Sequence, residues 1–138
     1  MSKLSPRVDR PAIPAEYGVT KASRFVDWAH IEERFAADRV YWIATVGRDG
    51  RPRVRPIDGV YVDGAIYVGG SPETRWVREL ADNPHVNVRL AEASNAKFPE
   101  YRMTAAVYRS RGAIAIRPRK VISWTDITAD PTRFRFER

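Results

Sequence analysis

Two stretches bring together residues able to hold an anion. The first is Gly69-Gly70-Ser71-Pro72-Glu73-Thr74-Arg75-Trp76-Val77-Arg78-Glu79-Leu80. Ser71 and Pro72 read as the cap and first residue of a helix. Trp76, Val77 and Leu80 give it an apolar face, and Asn83-Pro84 stops it. Glycines, a hydroxyl, a helix N-terminus and two guanidinium groups in one place suit a phosphate. Taken alone, the same stretch reads more simply as a strand-turn-helix connection with solvated arginines. The second stretch is Arg51 to Ile57, where Arg51, Arg53 and Arg55 alternate with Pro52, Val54 and Pro56. Period-two alternation puts the three arginines on one strand face. That face is either a solvated surface or a cationic wall. Prolines within the run predict an edge, a bulge or an irregular strand.

Other chemistries find little support. The chain has no cysteine, which excludes disulfides, thiolate metal sites and a cysteine nucleophile. His30 and His85 lack metal-ligand spacing, so no metal site is expected. No Ser-His-Asp set or paired carboxylate site stands out, and no catalytic residue is assigned. The net charge is +7, with 20 Arg against 4 Lys. The arginines are scattered among acids rather than gathered in a dense run, which argues against a nucleic-acid partner. No apolar run approaches the ~20 residues that span a bilayer. Met1 to Arg10 is polar and proline-bearing, unlike a signal peptide. A cytoplasmic protein without a membrane partner is expected.

The elements that must position these residues are short. The 138 residues suit a single globular domain. Residues 1–22 read as an extended arm, with Pro6, Pro11 and Pro14, and 23–138 as the domain. Phe25, Trp28, Ile31 and Phe35 predict a helix from Ser23 to Ala37. Val40–Val46 is a strand buried on both faces, and Gly47–Gly50 is a turn. Val60–Val62 and Ala65–Val68 form a hairpin about Asp63-Gly64, and Val86–Leu90 is a further strand. Ala91–Phe98 looks helical, and the run from Pro99 to Tyr108 looks like an aromatic loop. Strands follow at Ala113–Arg117, Val121–Trp124 and Thr132–Arg138. Many short strands with few helices predict a mostly β fold, a small antiparallel barrel with peripheral helices.

Several motifs in this order resemble the pyridoxamine 5′-phosphate oxidase-related family of flavin- and deazaflavin-binding split barrels. They are Tyr41-Trp42-Ile43-Ala44-Thr45-Val46, Arg48-Asp49-Gly50-Arg51-Pro52, Val54-Arg55-Pro56, Ile57-Asp58-Gly59-Val60 and Gly69 through Trp76 to Asn83-Pro84. Ile116-Arg117-Pro118-Arg119-Lys120-Val121, Trp124 and Phe134-Arg135-Phe136 resemble the family's closing strand and tail. The resemblance implies a split barrel that forms a homodimer, with a flavin in a groove between subunits and a small-molecule substrate. It places Arg53, Arg55, Pro56, Ile57 and Asp58 along the cofactor, FMN or a deazaflavin coenzyme. Gly70, Ser71, Arg75 and Arg78 fall at its phosphate. Trp76 stands where many relatives carry lysine and either packs or stacks on the cofactor. Asp58 is expected to touch substrate or, more simply, to pair with Arg55. One departure is expected as well: a strand that relatives carry after Leu90 is absent from this chain.

Overall fold

The computed structural model describes residues 5–19, 24–90 and 113–137. The expected helix at Ala91–Phe98, the aromatic loop after it and the strand absent after Leu90 lie outside these residues. Among the described residues the protein is mostly β, with eight strands in two antiparallel sheets and two α-helices. The chain divides into two compact units, one from Met1–Arg34 and Arg117–Arg138, the other from Phe35–Ile116.

The first unit holds a three-stranded sheet in the order β1 (Arg7–Asp9), β8 (Thr132–Arg135), β7 (Lys120–Ser123). Part of the sequence expected to be an extended arm is thus an edge strand of this sheet, with Val8 opposite Phe134. Phe134 is fully buried, and Trp28 packs on it at 5.1 Å and on Phe136 at 4.9 Å between ring centroids. Helix α1 runs from Trp28 to Ala37, five residues shorter than its apolar spacing predicts. The reason is local. Asp27 ends the preceding segment by accepting the Ala29 N–H at 3.1 Å on its side chain and the Ile31 N–H on its carbonyl. That is the behaviour of a helix N-cap. Phe25 therefore lies outside the helix, half exposed, with the Arg10 guanidinium 4.0 Å above its ring.

The second unit holds a five-stranded sheet in the order β5 (Asn87–Leu90), β2 (Val40–Val46), β3 (Pro52–Val62), β4 (Ala65–Val68), β6 (Ile114–Ile116). β3 is one strand of 11 residues rather than two short ones. Its first half pairs with β2 and its second half with β4, the exchange falling at Asp58-Gly59. Pro52 and Pro56 sit in the first half, where β4 supplies no ladder, so their missing N–H groups cost little. The turn from β3 to β4 has Asp63 at φ 50° and Gly64 at φ 73°, the positive pair expected of Asp-Gly.

β2 is buried on one face only, which corrects the expectation of a strand buried on both. Tyr41, Ile43 and Thr45 are fully buried, while Trp42 is 43% exposed. Register explains the asymmetry. Tyr41, Ile43 and Thr45 lie opposite Ile57, Arg55 and Arg53, whereas Trp42, Ala44 and Val46 lie opposite Pro56, Val54 and Pro52. Val54 is 60% exposed. The sheet thus turns its arginines inward and leaves an apolar strip of Trp42, Val54 and the two prolines outside.

Candidate functional site

The inward arginines converge on a carboxylate that the sequence did not single out. Glu79 lies on helix α2 (Arg75–Asp82), with its side chain only 7% exposed. Its Oε1 accepts from Arg53 Nη1 at 2.9 Å, and its Oε2 accepts from the Thr45 hydroxyl at 2.6 Å. Arg55 Nη2 stands 3.7 Å from Oε2, and Arg55 Nη1 donates to Thr45 Oγ1 at 3.0 Å. One carboxylate therefore joins three positions on two adjacent strands. The Thr45 hydrogen bond, then the nearby charges of Arg53, Arg55 and Arg75, hold the Glu79 carboxyl below the usual range. It stays ionised through neutral and mildly acidic pH.

Arg53 and Arg55 share a face but not a role. Arg53 also donates from Nη2 to Asp49 Oδ2 at 2.6 Å, and from Nη1 to Asp49 Oδ1 and the Arg51 carbonyl. Those bonds depress the Asp49 carboxyl. The guanidinium lies close over the backbone of the β2–β3 turn at Gly47, where a larger residue would make it shift. A Cβ at Gly47 would come within 2.5 Å of Arg53 Nη1. A bidentate pair from Arg48 to Asp82, 2.7 Å on each bond, ties the same turn to the end of α2. Arg55 has far fewer commitments. Thr45 is its one hydrogen-bond partner among the described residues, and its Nε has none.

Helix α2 begins three residues later than Ser71-Pro72 suggests. Ser71 first closes a turn: its carbonyl accepts from the Thr74 N–H at 2.9 Å and from the Thr74 hydroxyl at 2.7 Å. Its own hydroxyl accepts from Glu73 N–H. Thr74 is then the N-cap residue, with no side-chain hydrogen bond to the helix, and Arg75 is the first helical residue. The first N–H groups of α2 consequently have no partner within the helix. Gly70 is fixed by this fold-back, since a Cβ there would sit 2.2 Å from the Trp76 ring. Trp76 itself is buried, 6% exposed, and packs beneath Gly70.

The sequence-predicted residues sort accordingly. Gly70, Ser71, Arg75 and Arg78 gather at the start of α2, all four exposed. Neither the Arg75 nor the Arg78 side chain has an ion-pair or hydrogen-bond partner among the described residues. Arg75 lies one helical turn before Glu79, and its charge helps to lower the Glu79 pKa. Ile57 shares their half-buried face, while Pro56 is exposed on the opposite one. Asp58 is exposed on that opposite face too, so the expected Asp58–Arg55 pair does not form. An odd spacing along a strand separates them, and Glu79 is the counter-ion of Arg55. Glu79 and Thr45 are the residues that reading the sequence missed. Among the described residues there is no group of three or more side chains able to hold a metal. Nor is any described helix long and apolar enough to cross a membrane.

One comparison with known proteins, the family match, agrees with this architecture. The family described as pyridoxamine 5′-phosphate oxidase matches residues 28–125. No curated protein sequence matches the chain. The crystal structure of a conserved hypothetical protein from Mycobacterium tuberculosis is similar over 50% of this chain, with 23% identity and a TM-score of 0.45. The match covers 44% of that protein's chain, less than half its length. The family match takes in β2 through β5 and α2, the whole of the arginine-carboxylate cluster, along with the mostly antiparallel fold of split-barrel proteins. On that match, the chain belongs to the pyridoxamine 5′-phosphate oxidase family.

Proposed function

We propose that the protein binds FMN and serves as a flavin-dependent oxidoreductase on a small-molecule substrate. The observation that carries this reading is the pair of arginines, Arg75 and Arg78, whose side chains have no partner among the described residues, at the open N-terminus of α2. Unpaired guanidinium groups beside free helix N–H groups fit a phosphate, because both donate and both favour negative charge. Arg55 adds a third cation with uncommitted donors, alongside Ile57 on the same strand face. When bound, FMN supplies the redox chemistry, and the protein supplies position and electrostatics. On this reading Arg75 and Arg78 hold the phosphate, Ser71 and Gly70 border it, and Arg55 and Ile57 lie along the rest of the cofactor. Trp76 acts from beneath, by fixing the turn that carries Gly70.

The exposed strip of Trp42, Val54, Pro52 and Pro56 supports a homodimer, since a contiguous apolar patch on a sheet face commonly marks an association surface. The absence of cysteine suits the cytoplasm. A second reading, a deazaflavin coenzyme on the same site, is favoured by the number of cations. Arg51, Arg75 and Arg78 are exposed and without side-chain partners among the described residues, which suits a longer polyanionic tail.

Titration of the purified protein with FMN and with a deazaflavin coenzyme, side by side, tests the proposal. Saturable binding of FMN in preference to the deazaflavin supports the first reading, and the reverse preference supports the second. Binding of neither overturns both.

A further inference from the structure

We infer that Thr45 and Glu79 are positioning residues, which turn Arg55 into the ligand-facing arginine of β3 and leave Arg53 as a structural pin. The inference rests on the proposed flavin site and assigns a role within it to residues that do not touch the ligand.

Hydrogen-bond direction sets the order of these three residues. An ionised carboxylate only accepts, so Glu79 Oε2, 2.6 Å from Thr45 Oγ1, takes the hydroxyl proton. A hydroxyl has a single proton. Once that proton is committed to Glu79, Thr45 can offer only lone pairs to Arg55, whose Nη1 stands 3.0 Å away and donates. The order Arg55 to Thr45 to Glu79 is therefore fixed by chemistry as well as by distance. Thr45 is fully buried, and its χ1 choice is restricted by β-branching, so the relay is stiff. Thr45 engages one Nη1 proton, Glu79 draws Nη2 electrostatically, and the remaining edge of the guanidinium keeps its donors free.

Arg53 is arranged in the opposite way. Its two terminal nitrogens are taken by Asp49, Glu79 and the Arg51 carbonyl, and it lies against Gly47. A ligand reaching Arg53 would have to displace charge-assisted hydrogen bonds that Arg55 does not have. Glu79 thus separates two arginines of similar exposure, 24% for Arg53 and 22% for Arg55, by what it leaves unpaired on each.

The test is a set of FMN titrations on the full chain: wild type, Thr45→Val, Thr45→Ser, Arg55→Ala and the double variant Thr45→Val/Arg55→Ala. Valine keeps the volume and removes the relay. It is expected to raise the Kd about tenfold, the scale of one hydrogen bond to a charged group. Serine keeps the hydroxyl and is expected to stay within about twofold of wild type. In the Arg55→Ala background, Thr45→Val is expected to change nothing, because the two act as one unit. A melting scan of each variant confirms that it is folded at the titration temperature. Should Thr45→Val not fold, Glu79→Gln reads the same relay, since its amide can donate to Thr45 and reverse the hydroxyl. Equal affinities for the valine and serine variants, or a full Thr45→Val effect in the absence of Arg55, would overturn the inference while leaving the flavin site intact. Wild-type protein that binds no FMN would overturn the site and the inference together.

Discussion

Among the described residues each unit of the protein buries one acidic side chain, and the two are used differently. In the first unit, Asp130 is 3% exposed and is satisfied almost entirely by its own loop. Its Oδ1 accepts the N–H groups of Thr125 and Asp126, its Oδ2 accepts the Thr125 hydroxyl, and Arg24 approaches to 3.4 Å. The next residues complete a knot, with the buried Thr132 hydroxyl accepting the Val26 N–H at 2.8 Å. In the second unit, Glu79 gathers partners 26 and 34 residues away and has arginines to spare around it. The local carboxylate uses up its neighbours' donors and closes a loop. The long-range one orients cations without exhausting them. The first arrangement is structure, whereas the second leaves charge available for a ligand.

The largest expected effect lies on the structural side. Phe134→Ala removes a fully buried ring beneath Trp28 and is expected to cost about 3–5 kcal/mol. A denaturant melt measures that loss. FMN affinity of the folded fraction should be unchanged, and a change would blur the division between the units.

Asp130 comes next and is best read through pH. Its carboxyl is pulled down to about 2, first by the Thr125 hydroxyl and then by backbone N–H groups. A carboxyl depressed in the folded state stabilises fully above its unfolded pKa of about 3.9 and loses that contribution as the pH falls toward the folded value. Asp130→Asn should therefore be less stable at neutral pH, and its melting temperature should fall less steeply than the wild type's between pH about 4 and about 2. Parallel melting curves for the two proteins across that window would contradict this account of the loop.

On the ligand side, Arg75→Ala is expected to weaken FMN binding about tenfold to hundredfold, the scale of a lost charge-assisted hydrogen bond, with little change in melting temperature. A large fall in melting temperature would instead make Arg75 part of the framework. The smallest effect belongs to Arg48→Ala. Its pair with Asp82 is well formed, but the Arg48 side chain is 84% exposed, and exposed pairs contribute little. Neither stability nor FMN affinity should move measurably. A loss of affinity would mean that the turn's tether to α2 matters to the site.

The comparison also explains what could be read in the sequence. Alternation showed that Arg53 and Arg55 share a face, and Asp63-Gly64 marked its turn, because both signals sit within a few residues; Arg51, expected on that face, lies just before the strand and is exposed. The start of α2 was misplaced: Ser71-Pro72 reads as the cap and first helical residue, but Ser71 closes a turn instead, and Thr74 is the N-cap residue. Glu79 was invisible. In a helix between Arg78 and Leu80 it reads as a solvated acid, and only the packing of α2 against β2 brings it to Thr45. The direction of the arginine face was hidden for the same reason. Sequence spacing says which residues lie together, but not that Val54 would face out and the arginines in.

The central claim is that a phosphate group is held at the start of α2, and comparing FMN with riboflavin tests it most directly, because the two ligands differ only in that phosphate. The account predicts that wild-type protein binds FMN at least about tenfold more tightly than riboflavin, and that Arg75→Ala removes most of the difference. Equal affinities for the two ligands, or a difference that survives in Arg75→Ala, would contradict it.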